Sequence, residues 1–259
     1  MSDRERQLAL EDLVARLADA LRRPLPGAAA QAWMAPQPRS GWNPRARAPG
    51  GRAAAVLVLV YPGAGDQGDP GDDRLPSPPT ILLTERTGLV ERHKRQVSFP
   101  GGAIERGESP EQAALREAAE ETAVPVGLPR ILGRLTPLWV PASGFTIHPI
   151  AAWADERPSL SRQRREVARI IEARVARLLD PRAAHAGEGI AAAQLPHPDA
   201  GRPSAARPWA DRGGREEGGP WARAPYFDLD GAALWGASAM IMAEWLALIG
   251  WPGPPAAAR

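Results

Sequence analysis

Three glutamates in one short stretch are the residues of this chain best suited to chemistry. Glu117, Glu120 and Glu121 are spaced i, i+3 and i+4, beside Arg116. On a helix, this spacing places all three carboxylates on one surface. Like charges there repel each other, so a bound cation would stabilise them. Oxygen ligands suit Mg²⁺ or Mn²⁺, which also binds substrate phosphates. A solvated acidic helix face without a ligand is the alternative.

The residues before these glutamates carry strong signals for the start of a helix. Ser109 is a preferred N-cap, Pro110 falls at the first helical position, and Gln112 completes a capping box. Strong helix formers follow, and Pro125 ends the run. The sequence therefore predicts a helix over residues 110–122 that presents the carboxylates.

The spacing from Gly102 to Glu121 is G-x5-E-x7-R-E-x2-E-E, which resembles the Nudix box. This resemblance implies an α/β (α+β) fold, a Nudix-type α/β/α sandwich with a mixed sheet, to which an N-terminal and a C-terminal helix are added. It also implies hydrolysis of a nucleoside diphosphate derivative with Mg²⁺ or Mn²⁺ as cofactor. The residues that the resemblance assigns to the metal are Glu117, Glu120, Glu121 and Gly102.

One position departs from the box, because the family has Gly where this chain has Ala123. That Gly serves the turn after the helix, and Ala in a left-handed conformation costs roughly 1 to 2 kcal/mol. We expect a strained or reshaped turn at Ala123, with the metal ligands intact.

Other charged residues are expected to support these carboxylates. We expect Arg116 to pair with Glu108 and to orient the carboxylates of the helix. Nudix enzymes tend to draw a further carboxylate from outside the box, as a base or an added metal ligand, and Glu166 is the candidate, in competition with Glu105 and Glu108. The alternative is a surface ion pair between Glu166 and a nearby arginine, namely Arg162, Arg164 or Arg165.

Residues 82–102, LLTERTGLVERHKRQVSFPGG, are similar to the segment that marks the coenzyme A diphosphatase branch of the Nudix hydrolases. The resemblance implies coenzyme A or an acyl-CoA as substrate. Adenosine 3′,5′-bisphosphate and 4′-phosphopantetheine, acylated where the substrate was, are the implied products. For the apolar members of the segment, packing is the favoured interpretation. The residues assigned to substrate binding are Arg86, Arg92, His93, Phe99 and Gly101.

Two positions of this segment leave other substrates open. Glu91 stands where the branch has Arg, and Arg95 stands where it has Gly. An anion in place of a cation opposes the binding of a polyanion. The alternatives are a Nudix hydrolase for ADP-ribose, NADH or a dinucleoside polyphosphate, or a catalytically weak nucleotide-binding module of the same fold.

The chain divides into a short N-terminal part and one catalytic domain. Residues 1–52 are expected to hold an amphipathic helix that docks on the domain, and then a Pro/Arg-rich linker over 24–52. The Nudix hydrolase domain is placed at 53–250, with a mobile low-complexity insertion at about 181–224, and 251–259 form a tail. The expected strands lie at 53–62, 131–140 and 145–154, a strand and short helix at 166–179, and a closing helix within 225–250.

Composition is compatible with a single enzyme domain. The chain has 259 residues, 44% of them hydrophobic, a net charge of +2 and no Cys. The absence of Cys fits a reducing compartment, and no apolar run approaches the ~20 residues that span a bilayer. We expect a cytoplasmic protein that binds a small-molecule nucleotide, with no nucleic-acid or membrane partner, and a homodimer is left open.

Overall fold

The computed structural model describes residues 10–36, 52–64, 77–87, 96–141, 143–190, 224–229 and 231–254. It consists of a mixed eight-stranded sheet between two helical layers, with a second, three-stranded antiparallel sheet at one side. The α/β/α sandwich expected from the sequence is confirmed. The strands are β1 (Arg52–Pro62), β2 (Pro79–Arg86), β3 (Val97–Ser98), β4 (Gly101–Ala103), β5 (Arg130–Arg134), β6 (Leu138–Val140), β7 (Phe145–Trp153), β8 (Val167–Arg174), β9 (Ala184–Ile190), β10 (Ala224–Asp228) and β11 (Ala233–Trp235). The α-helices are α1 (Leu10–Ala20), α2 (Gly27–Gln31), α3 (Pro110–Thr122), α4 (Val175–Leu179) and α5 (Gly236–Leu248).

Strand β1 runs through the middle of the large sheet. It is parallel to β7 and antiparallel to β2 and β4. Its apolar run is buried on both faces, as expected for a strand covered by helices on both sides. Val58 and Val60 face one hydrophobic cluster, whereas Leu57, Leu59 and Tyr61 face the other. Strand β1 therefore anchors both layers of the core.

The two faces of the sheet are covered very differently. Helix α3 packs on one face through Ala113, Ala114 and Ala118. On the other face lie α1, α2 and α5, and Leu13 and Leu17 of α1 are fully buried there. The predicted N-terminal helix therefore docks on the domain, and it does so on the face opposite α3.

Several boundaries differ from the sequence-based expectation. The predicted linker over 24–52 contains α2 and a 3₁₀ helix, Ala32–Met34, with Gln31 and Met34 buried. Strand β9 occupies the start of the predicted insertion, and residues 191–223 lie outside the described residues. In the predicted tail, Trp251 is buried and packs against Phe227 at a ring distance of 5.3 Å. Composition indicated the polarity of these segments, but it did not reveal that Met34 and Trp251 share a hydrophobic cluster with buried residues of α5.

Two predicted elements are divided in the structure. The strand expected over 131–140 is two strands, β5 and β6, and between them the backbone N–H of Thr136 donates to the Glu244 carboxylate at 3.1 Å. The segment 225–250 begins with β10 and β11 before α5 starts at Gly236. Over the residues described, no helix has the length and apolar character needed to cross a membrane.

Candidate active site

Helix α3 begins and ends where the sequence predicts. The Ser109 hydroxyl accepts a hydrogen bond from the Gln112 N–H at 3.2 Å, and the Gln112 side chain accepts one from the Ser109 N–H at 2.8 Å. This capping box, with Pro110 as the first helical residue, is confirmed. It sets the register of the helix, so that Glu117 and Glu121 lie one turn apart on the same face.

The turn after α3 is strained, as expected. Ala123 adopts φ 60° and ψ 19°, and its N–H donates to the carbonyl of Ala119 at 2.9 Å. Across the described parts of the chain, it is the one non-glycine residue with a positive φ. The helix nevertheless keeps its last turn, with Glu121 and Thr122 buried.

The loop before α3 brings backbone directly against the carboxylates. A Cβ atom added to Gly102 would overlap the carboxylate of Glu117, and one added to Gly101 would overlap the carbonyl oxygen of Ala55. The backbone of Gly101 also hydrogen-bonds the Glu121 carboxylate. Glycine is required at 101, where a Cβ would overlap backbone, whereas at 102 it leaves the space that the Glu117 carboxylate occupies.

Arg116 joins the loop to the helix carboxylates. Its Nε and Nη2 donate to the two oxygens of Glu108 at 2.9 and 3.0 Å, which gives the predicted pair a bidentate geometry. Its Nη1 donates to Oε1 of Glu117 at 2.9 Å and lies 3.5 Å from Oε1 of Glu120. Arg116 therefore orients Glu117 while Glu108 orients Arg116.

Burial raises the pKa of the two carboxylates that face inward, those of Glu117 and Glu121. Glu121 is 4% exposed, and burial raises its pKa to about 7. The Arg86 guanidinium, 3.8 Å away, lowers this pKa, and the charges of Glu117 and Glu166 raise it. Burial also raises the pKa of Glu117, against the effect of Arg116. Negative charge at this site is therefore only partly offset by the two arginines.

The donor chemistry of this face fits a hard divalent cation, but the side chains are not gathered around one point. Carboxylate oxygens are the ligands that Mg²⁺ and Mn²⁺ prefer, and the raised pKa values indicate charge that a cation would stabilise. Within the described ranges, no group of three or more His, Cys, Asp or Glu side chains is arranged to hold a metal ion. Glu117 and Glu120 face Arg116 instead, so cation binding by this set requires them to exchange that contact.

Glu166 and Phe99, which the sequence also assigns to the site, differ in their exposure to solvent. Glu166 is exposed, and its charge raises the pKa of both Glu117 and Glu121. Its turn is linked to α3 by the N–H of Gln163, which donates to the carbonyl of Glu121. Within the described residues, Glu166 forms no ion pair with Arg162, Arg164 or Arg165. Phe99 is 2% exposed and packs in the core, which agrees with the packing favoured for the apolar members of its segment rather than with a side-chain contact to substrate. Arg92 and His93 lie outside the described residues.

Sequence reasoning missed the segment of residues 154–166 that crosses the end of α3. The N–H groups of Ser161 and Gln163 donate to the carbonyls of Thr122 and Glu121, both at 2.9 Å. The Arg157 guanidinium donates to both oxygens of Glu172 on β8 at 3.0 and 2.6 Å, and so links the segment to the sheet. No local spacing could have identified these contacts, since their partners lie 15 to 42 positions apart in the chain.

A family model and several known proteins match parts of this chain. The family model described as the NUDIX domain matches residues 51–208, which is more than half of the chain. The protein named "Uncharacterized Nudix hydrolase NudL" from Yersinia enterocolitica is 39% identical over 95 residues, 36% of this chain and 48% of that protein. Its namesake in Klebsiella aerogenes is 38% identical over 100 residues, 38% of this chain and 72% of that protein. The chain thus spans about half the length of the Yersinia relative. Among solved structures, the Nudix hydrolase RenU of M. smegmatis is 24% identical, with a TM-score of 0.37 and coverage of 48% of this chain and 70% of that one.

Proposed function

Since the chain belongs to the Nudix domain family, we propose that it hydrolyses the diphosphate linkage of coenzyme A or an acyl-CoA, with Mg²⁺ or Mn²⁺ as cofactor. The products are adenosine 3′,5′-bisphosphate and 4′-phosphopantetheine, which keeps its acyl group where one was present. In the reaction, the oxygen of water bonds to one phosphorus, the bond between that phosphorus and the bridging oxygen breaks, and the bridging oxygen leaves on the other phosphate.

The observation that carries this proposal is the buried carboxylate of Glu121 beside Glu117, under the Gly101-Gly102 loop. Two carboxylates held close together, with burial raising the pKa of each, stabilise a cation more than an exposed acidic face does. Glu117, Glu120, Glu121 and Gly102 would hold the divalent ion, which would supply neutralising charge for the diphosphate and would lower the pKa of a bound water.

The remaining roles belong to side chains around this helix face. Glu166 accepts the proton of the attacking water as general base, since it is exposed and close to Glu117 and Glu121. Arg86 binds a phosphate oxygen, because its guanidinium lies at the end of β2 and 3.8 Å from Glu121. Arg116 keeps the helix carboxylates in position through its bidentate contact with Glu108.

The substrate rests on residues 82–102, whose resemblance to the coenzyme A diphosphatase segment is described above. A second candidate is another nucleoside diphosphate derivative, such as ADP-ribose, NADH or a dinucleoside polyphosphate. The departures at Glu91 and Arg95 favour it, because they redistribute charge in the segment expected to meet a polyanion.

A substrate panel tests the proposal. Purified protein is incubated with Mg²⁺ or Mn²⁺ and separately with coenzyme A, acetyl-CoA, ADP-ribose, NADH and a dinucleoside polyphosphate, and products are identified by mass. Release of adenosine 3′,5′-bisphosphate from the coenzyme A substrates supports the first candidate. Cleavage of another member alone supports the second, and binding without cleavage supports a non-enzymatic nucleotide-binding module.

The Glu121→Gln variant tests the carboxylate itself. We expect turnover to fall by at least about 10²-fold, because the amide removes a negative charge from the cation site. The fold should be retained, since a neutral side chain is better suited to this buried position than a charged one. Glu111→Gln is the matched control, because Glu111 lies on the same helix and pairs with Arg134. Full activity of Glu121→Gln would contradict the assignment.

A further inference from the structure

The N–H groups of Glu166 and Val167 donate to the carbonyl of Gln163 at 3.2 and 2.8 Å and close the turn that carries Glu166, and the Gln163 side chain and Thr87 add further hydrogen bonds to its backbone. The side-chain oxygen of Gln163 accepts from the N–H groups of Arg165 and Glu166 at 2.5 and 3.0 Å. The Thr87 hydroxyl donates to the carbonyl of Arg165 at 2.7 Å, and the Thr87 N–H donates to the carbonyl of Glu166 at 2.8 Å. Both peptide groups flanking Glu166 are therefore fixed, although its side chain is exposed.

The same turn is tied to helix α3. The Gln163 N–H donates to the carbonyl of Glu121, and the Ser161 N–H donates to the carbonyl of Thr122. Gln163 thus contacts the backbone of Glu121, a proposed metal ligand, through its backbone N–H, and the backbone of Glu166 through its side chain. It is one of the residues that link the turn of Glu166 to helix α3.

The second anchor comes from strand β2. Thr87 directly follows Arg86, and it is 7% exposed, so its hydroxyl donates to Arg165 in a site largely shielded from water. A buried hydrogen bond of this kind holds its acceptor more firmly than an exposed one. Thr87 therefore anchors the turn to strand β2, and Gln163 anchors it to helix α3.

We propose that Thr87 and Gln163 are positioning residues for the reaction, which act by holding Glu166 at a fixed place relative to Glu117 and Glu121. The proposal rests on the function proposed above, because it requires Glu166 to take part in turnover. A carboxylate that must reach a proton within hydrogen-bond range loses efficiency when its backbone is free to shift, even by about 1 Å.

The first test compares Thr87→Val with Thr87→Ser. Valine keeps the shape of the side chain and removes the hydroxyl donor, whereas serine restores it. We expect kcat of Thr87→Val to fall about three- to tenfold, the loss expected for one hydrogen bond, with KM changed by less than about twofold. Thr87→Ser should recover most of kcat. A Thr87→Val variant with wild-type kcat would overturn the proposal.

A double-mutant cycle separates positioning from general structural support. Glu166→Gln alone should lower kcat on the order of 10²-fold. If Thr87 acts through Glu166, then adding Thr87→Val to Glu166→Gln has almost no further effect on kcat. Equal losses in both backgrounds would overturn the proposal. Gln163→Met, which removes the acceptor oxygen, should behave like Thr87→Val in the same cycle.

The outcomes also distinguish this inference from the function on which it rests. A wild-type protein that cleaves no member of the substrate panel overturns both. If Glu166→Gln is fully active, Glu166 is not the general base, and the proposal that Thr87 and Gln163 position it is overturned as well. If Glu166→Gln is slow but Thr87→Val and Gln163→Met are as fast as wild type, only the positioning proposal fails.

Discussion

At the scale of single residues, the site depends on a carboxylate placed where its charge is poorly solvated. Burial raises the pKa of Glu121, and the compensating groups are few: the guanidinium of Arg86 at 3.8 Å and a backbone hydrogen bond from Gly101. Glycine at 102 leaves room for the Glu117 carboxylate, and glycine at 101 allows the loop to lie against the backbone of β1. The positions of the carboxylates therefore depend on these two glycines as well as on helix α3.

The residue that ends α3 gives a stability prediction. Ala123 is held at φ 60°, a conformation that glycine adopts at no steric cost. We expect Ala123→Gly to raise the free energy of unfolding by about 1 kcal/mol, measured by urea denaturation. Ala119→Gly is the matched control, since Ala119 lies inside the helix and glycine there should lower stability by about 1 kcal/mol. Equal effects of the two variants would show that the turn is not strained.

At the scale of elements, a buried carboxylate joins two helices to a strand connection. Glu244 of α5 is fully buried and accepts hydrogen bonds from the Gln31 side chain at 2.8 Å and from the Thr136 N–H at 3.1 Å. The Gln31 side chain also donates to the Thr136 carbonyl at 3.1 Å. The network ties α2 and α5 to the connection between β5 and β6.

This network predicts a pH dependence of stability. Burial raises the pKa of Glu244, although hydrogen bonds from Thr136 and Gln31 lower it. The folded protein then binds a proton more tightly than the unfolded chain, whose usual Glu pKa is 4.5. The associated stability is fully present below pH 4.5 and is lost as the pH rises through the folded-state pKa.

Glu244→Gln removes this titration, so we expect its free energy of unfolding to vary less with pH than that of wild type. Relative to the variant, wild type should lose stability as the pH rises from 4.5, measured by denaturant unfolding at several pH values. Parallel pH profiles for the two proteins would show that the pKa of Glu244 does not change on folding.

At the scale of the whole molecule, the candidate site lies on one face of the sheet, and the N-terminal helix α1 contributes its buried side chains on the opposite face. Helix α3 and the loop before it hold the site, whereas α1, α2 and α5 close the other face. We expect Leu17→Ala to lower the free energy of unfolding by about 2 to 5 kcal/mol, because Leu17 is fully buried. The kcat of the folded protein should be unchanged. Arg16→Ala, on the exposed side of α1, is the control, and a Leu17→Ala variant with reduced kcat would contradict the separation.

Local signals were sufficient for the helix of the site and for its strongest contacts. Ser109, Pro110 and Gln112 predicted where α3 begins, because capping involves residues only three positions apart. The i, i+3 and i+4 spacing likewise placed the carboxylates on one face. The pair of Arg116 and Glu108 was also predicted, and the left-handed turn at Ala123 was predicted from the Gly that the family has at that position.

Contacts between distant segments were decided by the tertiary structure. Thr87 and Arg165 meet because β2 and β8 pair, and Trp251 is buried because it packs against Trp33 and Phe227, which lie far from it in the chain. The sequence by itself determined the fold class, the helix and its carboxylates, since those follow from short-range periodicity and a matched motif. Only the folded chain determined how far each carboxylate is buried, which arginine faces it, and how the turn of Glu166 is held, because these depend on residues that folding brings together.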